Sequence, residues 1–410
     1  MKRKTLLLLF SATLVGCALT ATAAFAQDAA RLKAYTTVIK RAPGAHQALK
    51  APASPQLPLW TYNVTSTRDG NNYSGVMVGR NALAINFGGL GETAKVPTKI
   101  VPIVITTNLV GTSVNFSNGE ISTTPGVTVL DPTAANTSCL TAPNDVPLTL
   151  YQQSPIIQPA SFEMGGTHVG NTQYVDAFQR ANFWAFTKET NYHVLLNPVT
   201  TTSPVLVNVP QADGLALATS SLGPPDFCAP LGIVDIGWFD TLVVNTILPS
   251  LSSQGVNPGT FPIFLLANVV LASPVTDLFS CCVLGYHSFE GANQTYGVMD
   301  FDTTSLFGPT IFDTSISAHE VGEWMNDPFG DNPVPPWGHI GQQPGCQDNL
   351  EVGDPLTGTN FPTVTMPNGY TYHLQELVFF SWFYGAPSFA VNGWFSDNNT
   401  FTSDAGPPCM

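Results

Sequence analysis

His319 and Glu323 stand four residues apart in the run Ser-Ala-His-Glu-Val-Gly-Glu-Trp-Met-Asn-Asp-Pro. On a helix, side chains at that spacing project from one face, within reach of a single ion. Imidazole nitrogen and carboxylate oxygen both bind Zn²⁺ at roughly 2.0–2.2 Å. Glu320 follows His319 directly, about 100° around a helix axis, which puts it beside such an ion rather than on it. The run is the His-Glu-x-x-His zinc pattern with its second His replaced by Glu. Residues 313–315 carry helix-start chemistry and Pro328 a stop, so the spacing predicts a metal-bearing helix over 314–325. One imidazole with two carboxylates also suits Mn²⁺ or Fe²⁺.

This segment resembles the zincin metallopeptidases in a His-Glu-x-x-Glu variant, and it is similar to the same segment of exordium-like (phosphate-induced) secreted proteins. The zincin resemblance covers residues 313–354. It implies two ligands from the helix (His319 and Glu323), a third from downstream, and Glu320 as general base. In Asn349-Leu350-Glu351-Val352-Gly353-Asp354, Glu351 is the favoured third ligand, with Asp354 orienting it from behind. His339, in the loop Pro335-Pro336-Trp337-Gly338-His339, competes for the same place. The resemblance also implies a strand that holds a substrate backbone beside the helix, and 295–302 alternates as such a strand should. His287, at the end of an apolar strand, is either an oxyanion donor or a structural histidine. Tyr372 and His373 are further candidates for a transition-state donor, amid aromatics that read as core.

The elements that must position these groups are legible as periodicities. Alternation marks strands at 60–64, 73–78 and 99–105, with short ones at 193–196 and 205–209. Apolar runs follow at 261–271, 282–286 and 295–301. Amphipathic spacing predicts helices over 173–186 and 239–251. The expected fold is α+β: a β-rich amino-terminal region over 59–170, then a zincin-like domain over 171–410. The resemblance supplies the second part as a mixed sheet with a backing helix (173–186) and the metal helix.

Charge narrows the function. The 410 residues hold 28 acidic and 14 basic side chains. A basic start, an apolar run from Leu6 to Ala26 and Ala24-Phe25-Ala26 read as a signal peptide ending at Ala26. Leu14-Val15-Gly16-Cys17 offers a competing lipoprotein box. Without the three basic residues of that leader, 11 basic side chains face 28 acidic ones, a formal charge of −17. That excludes a nucleic-acid partner. No later apolar stretch is long enough to span a membrane. Five basic residues fall within 31–50, so 27–58 reads as a linker or propeptide. After Lys188 no Lys or Arg follows, while 20 acids do. Those acids need solvent, protons, backbone N–H groups or cations.

The leader and six further cysteines (Cys139, Cys228, Cys281, Cys282, Cys346, Cys409) indicate an oxidising, extracellular or periplasmic setting with up to three disulfides. The adjacent Cys281 and Cys282 are expected to bond to different partners. The expectation for function is a secreted metal-dependent peptidase acting on a peptide or protein substrate. Its rivals are a non-enzymatic surface or matrix protein with a structural metal, and a carboxylate-only acid hydrolase.

Overall fold

The computed structural model describes residues 35–38, 55–85, 93–115, 117–135, 145–219, 229–291, 293–308, 310–338, 346–404, 406 and 409. The leader, Cys17, Cys139, Cys228 and His339 lie outside them.

Seven strands carry the fold: β1 (Thr93–Val114), β2 (Gly214–Leu217), β3 (Leu231–Asp235), β4 (Phe261–Ala267), β5 (Val269–Ala272), β6 (Cys281–Glu290) and β7 (Gln294–Phe301). Hydrogen bonding runs β1-β4-β7-β6-β5-β3-β2 and returns to β1, so the sheet closes into a barrel. The expected open zincin-like mixed sheet with a backing helix is therefore incorrect. The described residues are mostly β, 41% strand and 21% helix, and their central sheet is a closed seven-stranded barrel. Closure comes from β1. Its 22 residues pair with β4 along their first half and with β2 further on, which joins the two ends of the sheet. Residues 295–301 of the strand expected to hold a substrate backbone lie in β7, which is paired on both sides, by β4 and β6, and so has no free edge to offer.

The staves are apolar because they are covered on both faces. Every residue of β4 (Phe-Pro-Ile-Phe-Leu-Leu-Ala) and of β5 is buried, as a continuous hydrophobic run requires. Alternation then sorts the side chains. Phe264, Leu266, Tyr286, Tyr296 and Val298 join Phe239, Val243 and Ile247 of the helical segment after β3. Ile263, Leu265, Met299 and Phe301 turn the other way, into a cluster with Trp324.

Two helices lie on that second side: α1 (Tyr174–Asn182) and α2 (Ser315–Asn326). α2 packs on β6, β7, α1 and the strand Asn72–Val78 of an amino-terminal hairpin. Phe261 stacks on Trp324 with ring centroids 3.7 Å apart, and the Trp324 indole donates to Thr295 Oγ1 at 3.0 Å. α1 packs against α2 and the strand His193–Thr201, which itself pairs with β1. Strands on either side of residue 170 thus share one sheet. Within 27–58, Tyr35–Val38 adds to β6 in parallel.

Cys281 and Cys282 are bonded to each other, contrary to expectation. Both are buried in the same apolar cluster at the start of β6. Cys346 and Cys409 are exposed elsewhere. Among the described residues, no helix is long and apolar enough to cross a membrane.

Candidate metal centre

All 12 residues of α2 are buried. The helix starts where Ser315 Oγ accepts from the Phe312 N–H and ends at Asp327, before Pro328. It approaches β6 across Gly285, where a Cβ would stand 2.6 Å from Ile316 and 3.0 Å from the Glu320 side chain. On the other side, a Cβ at Gly353 would come within 2.6 Å of the His319 ring. Glycine at these two places lets a strand and a loop close on one helix, and acidic side chains fill the space between.

His319 and Glu323 face each other at 2.9 Å (Nε2 to Oε1), and Asp354 Oδ1 lies 3.4 Å from the same nitrogen. The other ring nitrogen, Nδ1, meets Gln375 Oε1 at 2.9 Å. Gln375 is oriented by donating its Nε2 to the Gly353 carbonyl at 2.7 Å, so its oxygen must accept the His319 Nδ1–H. That fixes the ring and aims Nε2 into the cluster, the arrangement typical of a metal-bound imidazole. Glu323 Oε1 is held by the N–H groups of Gly353 (3.2 Å) and Asp354 (3.1 Å).

His287, on β6, enters from the opposite side. Tyr286 points into the other cluster, and alternation turns His287 toward α2. Its Nε2 donates to the Asp327 carbonyl at 3.0 Å. Its Nδ1 meets Glu320 Oε2 at 3.2 Å and Glu323 Oε2 at 3.8 Å. Glu351 accepts from Asn349 Nδ2 at 2.5 Å through one oxygen. Two groups with the spacing to hold a metal ion result, His319 with Glu320 and Glu323, and His287 with Glu323 and Glu351. The ligand atoms in each lie within 4.8 Å of one another.

Two carboxylate oxygens here, Glu320 Oε1 and Glu351 Oε2, are buried without a donor. Uncompensated buried carboxylates are costly, and the chain offers no Lys or Arg after Lys188 to pair them. Burial pushes Glu320 up to about 8 and Glu323 up to about 7, and holds Glu351 well above the ordinary carboxylate range. Burial also lowers His287, against the pull of Glu323 and Asp327. For His319 burial works the same way, but Glu323, Asp354 and Glu320 together hold it well above the ordinary value. Burial is the first cause in every case, and neighbouring carboxylates add to it at Glu351 and oppose it at the two histidines. A divalent cation relieves the crowding of these carboxylates, and the donor set of imidazole nitrogens and carboxylate oxygens fits Zn²⁺, Mn²⁺ or Fe²⁺.

His319, Glu320, Glu323, Glu351, Asp354 and His287 are thus brought together. His373 and Tyr372 are set apart from them. His373 Nδ1 pairs with Asp313 at 2.8 Å, and the Tyr372 hydroxyl donates to the Leu150 carbonyl at 2.8 Å. Sequence reasoning missed Gln375 and Asn349 as the side chains that orient His319 and Glu351. The available signal for His287 was parity: a strand that buries Tyr286 in one cluster delivers residue 287 to the opposite face.

Comparison with protein-family models, with curated proteins and with solved structures found no match, so neither resemblance gains a relative from them.

Proposed function

We propose that this protein is a metal-dependent peptidase of the secreted or periplasmic kind, with Glu320 as general base. The reading rests on one observation: Glu320 Oε1 is buried without a donor beside a His319–Glu323 pair whose imidazole is already oriented by Gln375. His319 and Glu323 would hold a divalent ion, with Glu351 and Asp354 around it. The ion supplies Lewis acidity toward a water and a scissile carbonyl. Glu320 would take the water's proton and return it to the departing amine. Glu320→Gln should lower peptide hydrolysis by about 10²–10⁴-fold while metal content stays unchanged. Full activity in that variant, or no cleavage of a broad peptide library by the metal-loaded wild type, overturns the reading.

A second reading has its own support. His287, His319, Glu320 and Glu351 are all 0% exposed, which suits a structural metal in a non-enzymatic surface or matrix protein. One metal-loaded preparation separates the two, since only the first cleaves peptides.

A further inference from the structure

We propose that the cluster is a two-ion centre bridged by Glu323. The inference rests on the metal-binding part of the reading above and not on its hydrolytic part.

The two oxygens of Glu323 face different histidines. Oε1 lies 2.9 Å from His319 Nε2, and Oε2 lies 3.8 Å from His287 Nδ1. Each histidine is turned by a carbonyl acceptor at its far nitrogen, Gln375 Oε1 for His319 and the backbone carbonyl of Asp327 for His287. A proton on each far nitrogen leaves the near nitrogen of a neutral ring as an acceptor. At those near nitrogens His287 Nδ1 meets Glu320 Oε2 at 3.2 Å, and His319 Nε2 meets Glu323 Oε1. Each contact has room for one cation, a proton or a metal ion in its place.

The geometry offers two places rather than one. The two ligand groups, His319 with Glu320 and Glu323, and His287 with Glu323 and Glu351, have Glu323 alone in common, and all of these side chains are buried. The ligands divide accordingly. His319 and Glu323 Oε1 serve the first ion, with Glu320 and Asp354 beside it. His287, Glu323 Oε2 and Glu351, whose Oε2 has no donor, serve the second. A carboxylate that binds one ion through each oxygen holds the pair about 3.5–4 Å apart, the separation at which two metals act on one substrate.

The probe is Mn²⁺, added to the metal-stripped full chain. Elemental analysis after dialysis should give two Mn²⁺ per chain, and low-temperature electron paramagnetic resonance should show an exchange-coupled pair. His287→Ala should bind one Mn²⁺ and give the uncoupled six-line spectrum, and Glu323→Gln should abolish the coupling. A wild-type ratio of one overturns the proposal, as does a ratio of two with uncoupled spectra, and neither measurement depends on how the variants fold. A coupled pair without peptide cleavage would sink the peptidase reading and leave the two-ion centre standing. A single ion with cleavage would do the reverse.

Discussion

Asp176 and Glu351 are both completely buried carboxylates, yet they are treated in opposite ways. Asp176, on α1, accepts from Thr172 Oγ1 at 2.6 Å, His193 Nδ1 at 2.7 Å and the Val194 N–H at 2.5 Å. Glu376 is similar, with Ser396 Oγ, Thr400 Oγ1 and the N–H groups of Asn398 and Thr400 around it. Glu351 has a single donor, Asn349, and its second oxygen has none. A carboxylate that only ties segments together is surrounded by N–H and O–H groups, because each satisfied lone pair offsets part of its desolvation. A carboxylate left short of donors, next to others in the same state, is a place prepared for a cation.

The sharpest way to break this contrast is to remove one acid of the satisfied kind. Asp176→Ala strands two buried donors and the partly exposed His193, and should cost about 3–5 kcal/mol in denaturant unfolding, equally with and without metal. A negligible change would mean that its bonds do not anchor α1. Chelation tests the other kind. At an ion concentration about 1,000 times the dissociation constant, stripping metal should remove about 4 kcal/mol of apparent stability. If melting is indifferent to a strong chelator, the orphaned oxygens are not cation sites.

Glu351→Gln refines the point through a change of sign. In chelated protein it removes a buried carboxyl whose ionisation burial opposes and should stabilise by about 2–3 kcal/mol. In metal-loaded protein it removes a ligand and should destabilise, so melting curves in both states decide.

The smallest expected effect concerns an acid between the two kinds. Burial pushes Asp302 up to about 6, although Thr304 donates to it through both its N–H and its hydroxyl. A folded-state value above the unfolded one means that its stabilising contribution is whole below about pH 4 and is lost as pH rises through about 6. Asp302→Asn should therefore stabilise by about 1–2 kcal/mol at pH 7.5 and flatten the dependence between pH 4 and 6. Urea titrations at pH 4, 6 and 8 provide the check.

Legibility in the sequence followed locality. His319, Glu320 and Glu323 were readable because a single helix sets their relation, and Glu351 and Asp354 follow within 31 residues of Glu323. The strands were readable too, since alternation and apolar runs are local signals. Barrel closure was not. β1 pairs with five other strands, and periodicity says that a strand exists without saying whom it pairs with. The same limit hid the full place of His287, whose neighbours on α2 are more than 30 residues away, whereas the bond between the adjacent Cys281 and Cys282 is a local relation that was misread. Gln375 gave no signal either, because a neutral amide acquires its meaning only from the imidazole it meets.

The enclosure of α2 on every side bears on how the protein would obtain its metal. Among the described residues the ligands are buried between a helix, a stave and a loop, so both a metal ion and a peptide would reach Glu320 through local opening. Exchange of bound metal against an isotope, and any cleavage, should then keep pace with that opening rather than with diffusion.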